Sequence, residues 1–273
     1  MTDLYSELKD FRYLDWTRIR SSSGTAGSYL KAYEIIHGRK MYYKLSAYDS
    51  VEGITGHECV NELIVSRLLD VLGIEHLSYQ LRHGLVKIDG REYKTWICAS
   101  WDYKQPGESK LALDDFYDLN KRPEESPMKF CVRMGWQKYI QEMLLVDYLI
   151  LNRDRHGANI EILKSGSNGA VRPAQLFDHG ISLIYNCKTE EDVKKVKPLE
   201  DKVVQCFVGS RSARENLELI PSDKRPEIRA LEKRDRSLIF GGLDQAMPKF
   251  FQNKIWKLIS ERWKVYENLQ NNR

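Results

Sequence analysis

Residues 149–163, LILNRDRHGANIEIL, set a short polar turn between two strongly apolar runs. An apolar helix has to stop and an apolar strand has to start within a few residues, so buried segments pin the turn at both ends. A plain connection would use Gly, Pro, Asn or Ser. This one spends Asp154, Arg155, His156 and Asn159. The helix is expected to end near Asn152, and the strand IEIL follows Asn159 directly. A Gly-rich turn, KSGSNGAVRP, then leads into a second strand, AQLF, which delivers Asp178-His179-Gly180. The order loop, strand, turn, strand, acid brings Asp154, Asn159 and Asp178 to the same end of a short hairpin.

Such a set has a chemical reading. An amide oxygen on Asn159 and a carboxylate on Asp178 suit a hard divalent cation such as Mg²⁺, which takes few protein ligands and prefers phosphate oxygens for the rest. The remaining acid, Asp154, would orient an attacking hydroxyl and accept its proton. Any one of these residues alone would read as a surface turn with salt bridges; all of them in this order do not.

The rest of the chain divides into two. Up to about residue 100 it reads mainly as strands: two around the small-residue stretch in RIRSSSGTAGSYLKAYEII, then MYYKLS after the turn HGRK. A helix is expected at about 57–72. YQLRHGLVKI and REYKTWICAS follow, joined through Asp89-Gly90, a strong hairpin signal. DYKQPGESK reads as a linker, KRPEESP as a loop, and the remainder as mostly helical. Trp136, Tyr139, Ile140, Met143, Leu144 and Leu151 fall on one helical stripe, and 247–269 repeats the pattern with Phe251, Ile255, Leu258, Ile259, Trp263 and Tyr266. The expectation is a two-lobed α+β chain, with a strand-rich lobe at 1–100 and a helical lobe at 101–273.

The motif NRDRHGANI…LFDHG resembles that of the HipA-like serine/threonine kinases, the compact stand-alone members in particular. A related N-D-R-H-x-x-N run with a later D-x-G occurs in phosphatidylinositol kinases. The resemblance implies a protein-kinase-like fold, ATP and Mg²⁺ as cofactors, and a protein substrate with an acceptor Ser or Thr. By position it makes Asp154 the catalytic acid–base residue and Asn159 and Asp178 the metal ligands.

A kinase also needs a phosphate cradle, a lysine and an acid to hold that lysine. Ser21–Ser28 is rich in small residues, and Ser23, Gly24, Thr25, Gly27 and Ser28 would let backbone N–H groups close over phosphate oxygens. It does not match G-x-G-x-x-G. It resembles the varied Ser/Gly loops of HipA-like proteins, which implies autophosphorylation on its hydroxyls. Alternation puts Tyr42, Lys44 and Ser46 on one strand face. On the next helix Glu58, Glu62, Val65, Leu69 and Leu72 share a face, so Glu62 sits on an otherwise apolar stripe where an unpaired carboxylate is costly. Lys44 is its expected partner, with Glu58, one turn earlier, as the alternative acid. In the kinase reading Ser100 and Trp101 lie in the hinge whose backbone binds adenine. Asp147 is placed to brace the loop by accepting backbone N–H bonds. Arg155 is expected to pair with an acid of the second lobe, and His156 to position a phosphate or brace the loop.

Composition narrows the alternatives. A net charge of +4 permits an anionic ligand without demanding nucleic acid, and the basic stretches are interleaved with acids and lack stacking aromatics. Five scattered cysteines argue against a disulfide framework or a zinc cluster. The acidic N-terminus is no signal peptide, and the longest apolar run, MLLVDYLIL, is too short to span a bilayer, so a cytoplasmic location is expected. Two other readings remain: a lipid or small-molecule kinase, and a catalytically silent nucleotide-binding module.

Overall fold

The structure, a computed structural model, describes residues 2–19, 26–221 and 226–271. The first lobe contains β1 (Leu4–Asp10), β2 (Thr17–Ile19), β3 (Ala26–Ile36), β4 (Arg39–Lys44), the small hairpin β5 (Tyr48–Asp49) and β6 (Gly53–Ile54), helix α1 (Glu58–Leu72), β7 (Gln80–Ile88) and β8 (Arg91–Trp101). Six of these strands form one sheet in the order β1-β7-β8-β4-β3-β2. All neighbours are antiparallel except β1 and β7. The β7–β8 turn has Asp89 at φ 50° and Gly90 at φ 80°, the left-handed pair that a tight primed turn requires.

Alternation along β4 divides its side chains between two environments. Met41 and Tyr43 enter a core with Phe11, Leu30, Val86 and Ile97, while Tyr42 and Lys44 face a cleft. Of α1, only Arg67, Asp70 and Val71 escape burial. The helix is enclosed because it packs on the sheet and also belongs to the buried cluster that runs through the second lobe.

That second lobe contains β9 (Glu108–Ala112), α2 (Leu113–Asn120), α3 (Pro127–Arg133), α4 (Gln137–Ile150), β10 (Asp154–Arg155), β11 (Glu161–Ser165), β12 (Val171–Pro173), α5 (Glu190–Lys195), β13 (Gln205–Cys206), α6 (Ala213–Glu218), α7 (Asp235–Phe240) and α8 (Lys249–Asn271). The expected apolar stripe of α8 is its buried face, whereas α4 is enclosed on every side from Met143 to Ile150 and Tyr139 of its expected stripe is only half-buried. Three details differ from the sequence reading. β1 was not expected. The stretch read as a linker ends in β9, which pairs with β11. The strand returning beside β11 is Val171–Pro173 rather than AQLF. Ala174 still donates its N–H to Glu161 O at 2.8 Å, but the chain then crosses to the first lobe, where Leu176 O accepts the Leu77 N–H at 2.8 Å.

Among the described residues no helix is long and apolar enough to cross a membrane.

Candidate active site

Lys44 stands at the end of β4, where its ammonium meets acids from both lobes. Its Nζ lies 3.0 Å from Glu62 Oε1 and 2.5 Å from Asp178 Oδ1. Glu62 has no exposed surface, and its other oxygen accepts the His179 N–H at 2.8 Å. Both carboxylate oxygens are therefore engaged, as burial of a charge demands. Glu58 is instead met by the Ala47 N–H at 3.3 Å and, more loosely, by the Tyr29 hydroxyl at 3.5 Å. The lysine's partner on α1 is therefore Glu62.

One cation facing two acids gives this cluster a negative balance. Burial is the largest influence on Lys44 and opposes its charge, yet Asp178 and Glu62 together hold its pKa well above the usual lysine range. Burial pushes the Glu62 carboxyl up, with Lys44 acting against it.

The segment carrying Asp178 is locked to α1. Asn61 Nδ2 donates to Gly180 O at 3.1 Å and Ser182 O at 3.2 Å. A Cβ on Gly180 would lie 3.2 Å from both Glu58 Cβ and Glu62 Oε1, so only glycine fits without pushing on the helix. Asp178 itself is left-handed, with φ 56°, and its N–H donates to the Tyr79 hydroxyl at 3.2 Å. His179 is buried, and burial holds its imidazole neutral by lowering its pKa well below the usual value.

The polar turn at 152–159 is built on α4. Leu151 ends that helix at φ 51°, a strained conformation for a leucine, and reverses the chain. Asn152 Oδ1 accepts the Asp154 N–H at 3.1 Å. Asn159 Nδ2 donates to Asp154 O at 2.7 Å and to Asp154 Oδ2 at 3.4 Å, which turns the amide so that Oδ1 is buried with no hydrogen-bond partner. Asp154 is half-buried, and burial raises its pKa, with His156 as the chief opposing influence. His156 Nε2 stands 3.6 Å from Asp154 Oδ1, too far for a direct hydrogen bond.

Arg155 and Asp147 form a buried two-pronged pair, with Nε to Oδ2 at 2.9 Å and Nη2 to Oδ1 at 3.0 Å. Arg155 thus meets an acid of the second lobe. Asp147, expected to take backbone N–H groups, instead takes side-chain donors, Asn152 Nδ2 among them at 2.8 Å.

A cleft of about 450 Å³ opens between the lobes, and neither Asp154 nor Glu62 is among its lining residues. Lys44, Ser100, Asn159 and Asp178 line it. So do residues that the sequence reading missed as site residues: Tyr42, Tyr103, Lys110, Glu161 and Phe177. The Tyr103 hydroxyl donates to Glu161, and Lys110 Nζ lies 3.4 Å from the same carboxylate. Strand alternation already put Tyr42 on the face of Lys44; nothing marked Tyr103, in the supposed linker. Trp101 is not among the lining residues and lies under the Arg39 guanidinium, 4.8 Å from its ring centre. Of the expected phosphate loop, Ser23, Gly24 and Thr25 lie outside the described residues, while Gly27 and Ser28 belong to β3 rather than to a loop. A larger hollow of about 930 Å³, among Arg12, Asp15, Lys87 and Asp89, holds none of the acids or amides above.

The donor set suits a hard cation. An unpartnered, buried amide oxygen and a carboxylate line one cleft beside a negatively balanced cluster, and oxygen donors of this kind are what Mg²⁺ takes. Among the described residues no three His, Cys, Asp or Glu side chains converge as a metal cluster.

No protein-family model and no curated protein matches the sequence. Solved structures do match. The Helicobacter pylori proinflammatory kinase CtkA superposes with a TM-score of 0.63 at 12% identity, over 97% of this chain and 98% of that one. The HipA, HipB and operator DNA complex of the Shewanella oneidensis MR-1 toxin–antitoxin system gives 0.44 at 14% identity, over 93% and 67%. The Golgi casein kinase gives 0.43 at 12% identity, over 94% and 72%. The likeness to CtkA runs through both lobes, and by fold the chain is therefore a two-lobed, kinase-like α+β protein.

Proposed function

We propose that the chain is an ATP- and Mg²⁺-dependent phosphotransferase, a HipA-like kinase that phosphorylates serine or threonine hydroxyls of proteins, its own included. The observation that supports this is the buried Lys44–Glu62–Asp178 cluster, set in a cleft that also receives the unpartnered oxygen of Asn159. A kinase site of the protein-kinase type needs a cation aimed at phosphate, an acid to aim it, two oxygen donors for metal and an acid–base group. Lys44 binds phosphate oxygens and Glu62 fixes its direction. The chain at Ser100, which lines the cleft, receives the base. Asn159 and Asp178 would hold Mg²⁺, which would supply neutralisation of the phosphate charge. Asp154 accepts the acceptor hydroxyl's proton as the oxygen attacks the γ-phosphorus in line, the bond from that phosphorus to the β–γ bridging oxygen breaks, and ADP leaves.

The test is phosphate incorporation from γ-labelled ATP with Mg²⁺, comparing wild type with Asp178→Ala and mapping label by mass spectrometry. Label on Ser or Thr in wild type alone is the expected result. Tight Mg²⁺-dependent nucleotide binding without labelled protein would move the acceptor to a lipid or small molecule. Absence of nucleotide binding would end the kinase reading.

A further inference from the structure

We infer that Arg155 is a positioning residue that sets the placement of the two metal-binding oxygens, Asn159 and Asp178. The inference rests on the metal-binding reading proposed above. Arg155 is only 1% exposed, and a guanidinium so deep must satisfy all its donors locally. Asp147 chelates it through Nε and Nη2, which fixes the plane of the guanidinium. The direction of Nη1 is then fixed too. That nitrogen donates to Asn159 O at 2.9 Å and to Phe177 O at 3.0 Å.

The two carbonyls belong to the residue bearing one oxygen donor and to the residue just before the other. One nitrogen therefore spans the two segments that must be held at a set separation to share a cation. The backbone of Arg155 is anchored as well, since its carbonyl accepts the Phe207 N–H at 2.9 Å. A neutral brace would tie the same segments, but only a rigid planar cation can chelate the carboxylate and still direct two bonds from a single nitrogen. A lysine ammonium, a point donor on a flexible stem, lacks that geometry. Partners that orient metal ligands typically govern 10–100-fold in metal affinity.

The probe is Mn²⁺ binding to the full chain with a non-hydrolysable ATP analogue, read by electron paramagnetic resonance, together with analogue affinity without metal. Arg155→Lys is expected to weaken Mn²⁺ by about 10–100-fold while metal-free nucleotide affinity changes less than about threefold. Asp147→Asn, of equal size, frees the guanidinium plane and should shift Mn²⁺ affinity in the same direction by a smaller factor. If Arg155→Lys does not fold, Asp147→Asn decides. Mn²⁺ affinity within about threefold of wild type in the folded variants would reduce Arg155 to a structural brace and overturn the inference. Failure of wild type to bind Mn²⁺ with the analogue would instead overturn the metal-binding reading on which the inference stands.

Discussion

At the scale of single residues, the most informative group is Asp154. Burial raises its pKa, and its own backbone carbonyl is held by the amide of Asn159. A base must be deprotonated to work, so kcat/KM should fall as the pH drops through this raised pKa, at a higher pH than an ordinary aspartate would give. Asp154→Asn should cost about 10²–10⁴-fold in kcat and remove that acid limb. Stability should respond in the opposite sense. A carboxyl whose folded pKa is raised adds stability when protonated, below its unfolded pKa, and that contribution is lost as the pH rises through its folded pKa. Replacing it with an amide should therefore raise Tm at pH 7, even as activity collapses. A pH–rate profile and a thermal melt on the same variant check both signs. Activity within threefold of wild type would remove Asp154 from the mechanism.

At the scale of elements, α1 is the part that must not drift, because it carries Glu62. Arg67, on the same helix, chelates Asp3 at 2.7 and 2.8 Å and donates to Ile239 O at 3.2 Å and Gly241 O at 2.8 Å. Arg229 adds a bond from its N–H to Leu72 O at 3.1 Å. The helix is thus strapped to the chain's start and to the segment around α7. Arg67→Ala should loosen the register of Glu62, raising the KM for ATP several-fold with a smaller change in kcat, and should destabilise the fold by about 1–3 kcal/mol through the orphaned acceptors. Steady-state kinetics beside denaturant melts would test this, and an unchanged KM would confine Arg67 to stability. The helices and the β7–β8 hairpin were legible in the sequence because periodicity and Asp89-Gly90 are local signals. β1 was not, since it is a mostly exposed edge strand with no buried alternation. β9 was hidden for a related reason: its pairing with β11 joins residues about fifty apart, and no local pattern announces it.

At the scale of the whole molecule, the site falls where the lobes meet, and its legibility divides the same way. Asp154, Asn159 and Asp178 were readable because one short stretch of sequence carries them, and the Lys44–Glu62 pair because a buried acid needs a cation. Apart from Tyr42, which shares the strand face of Lys44, the cleft wall of Tyr103, Lys110, Glu161 and Phe177 was not, because separate segments supply it. The same geometry governs how the molecule should unfold. The largest buried cluster includes α1 and most of the second lobe, so the lobes share a core rather than touching across a wet boundary. A ligand held by Lys44 from above and Asn159 from below should then stabilise both at once. At about 100 times its Kd a ligand adds about 2.7 kcal/mol, and each kcal/mol is worth about 2–4 °C in a chain of this size. A non-hydrolysable ATP analogue with Mg²⁺ should therefore move a single melting transition upward by roughly 5–10 °C. Asp178→Ala should keep the part of that shift given by nucleotide alone and lose the part added by Mg²⁺. Differential scanning calorimetry distinguishes the outcomes. Two transitions, only one of them moved by the ligand, would mean that the lobes unfold separately and that the shared core does not couple them.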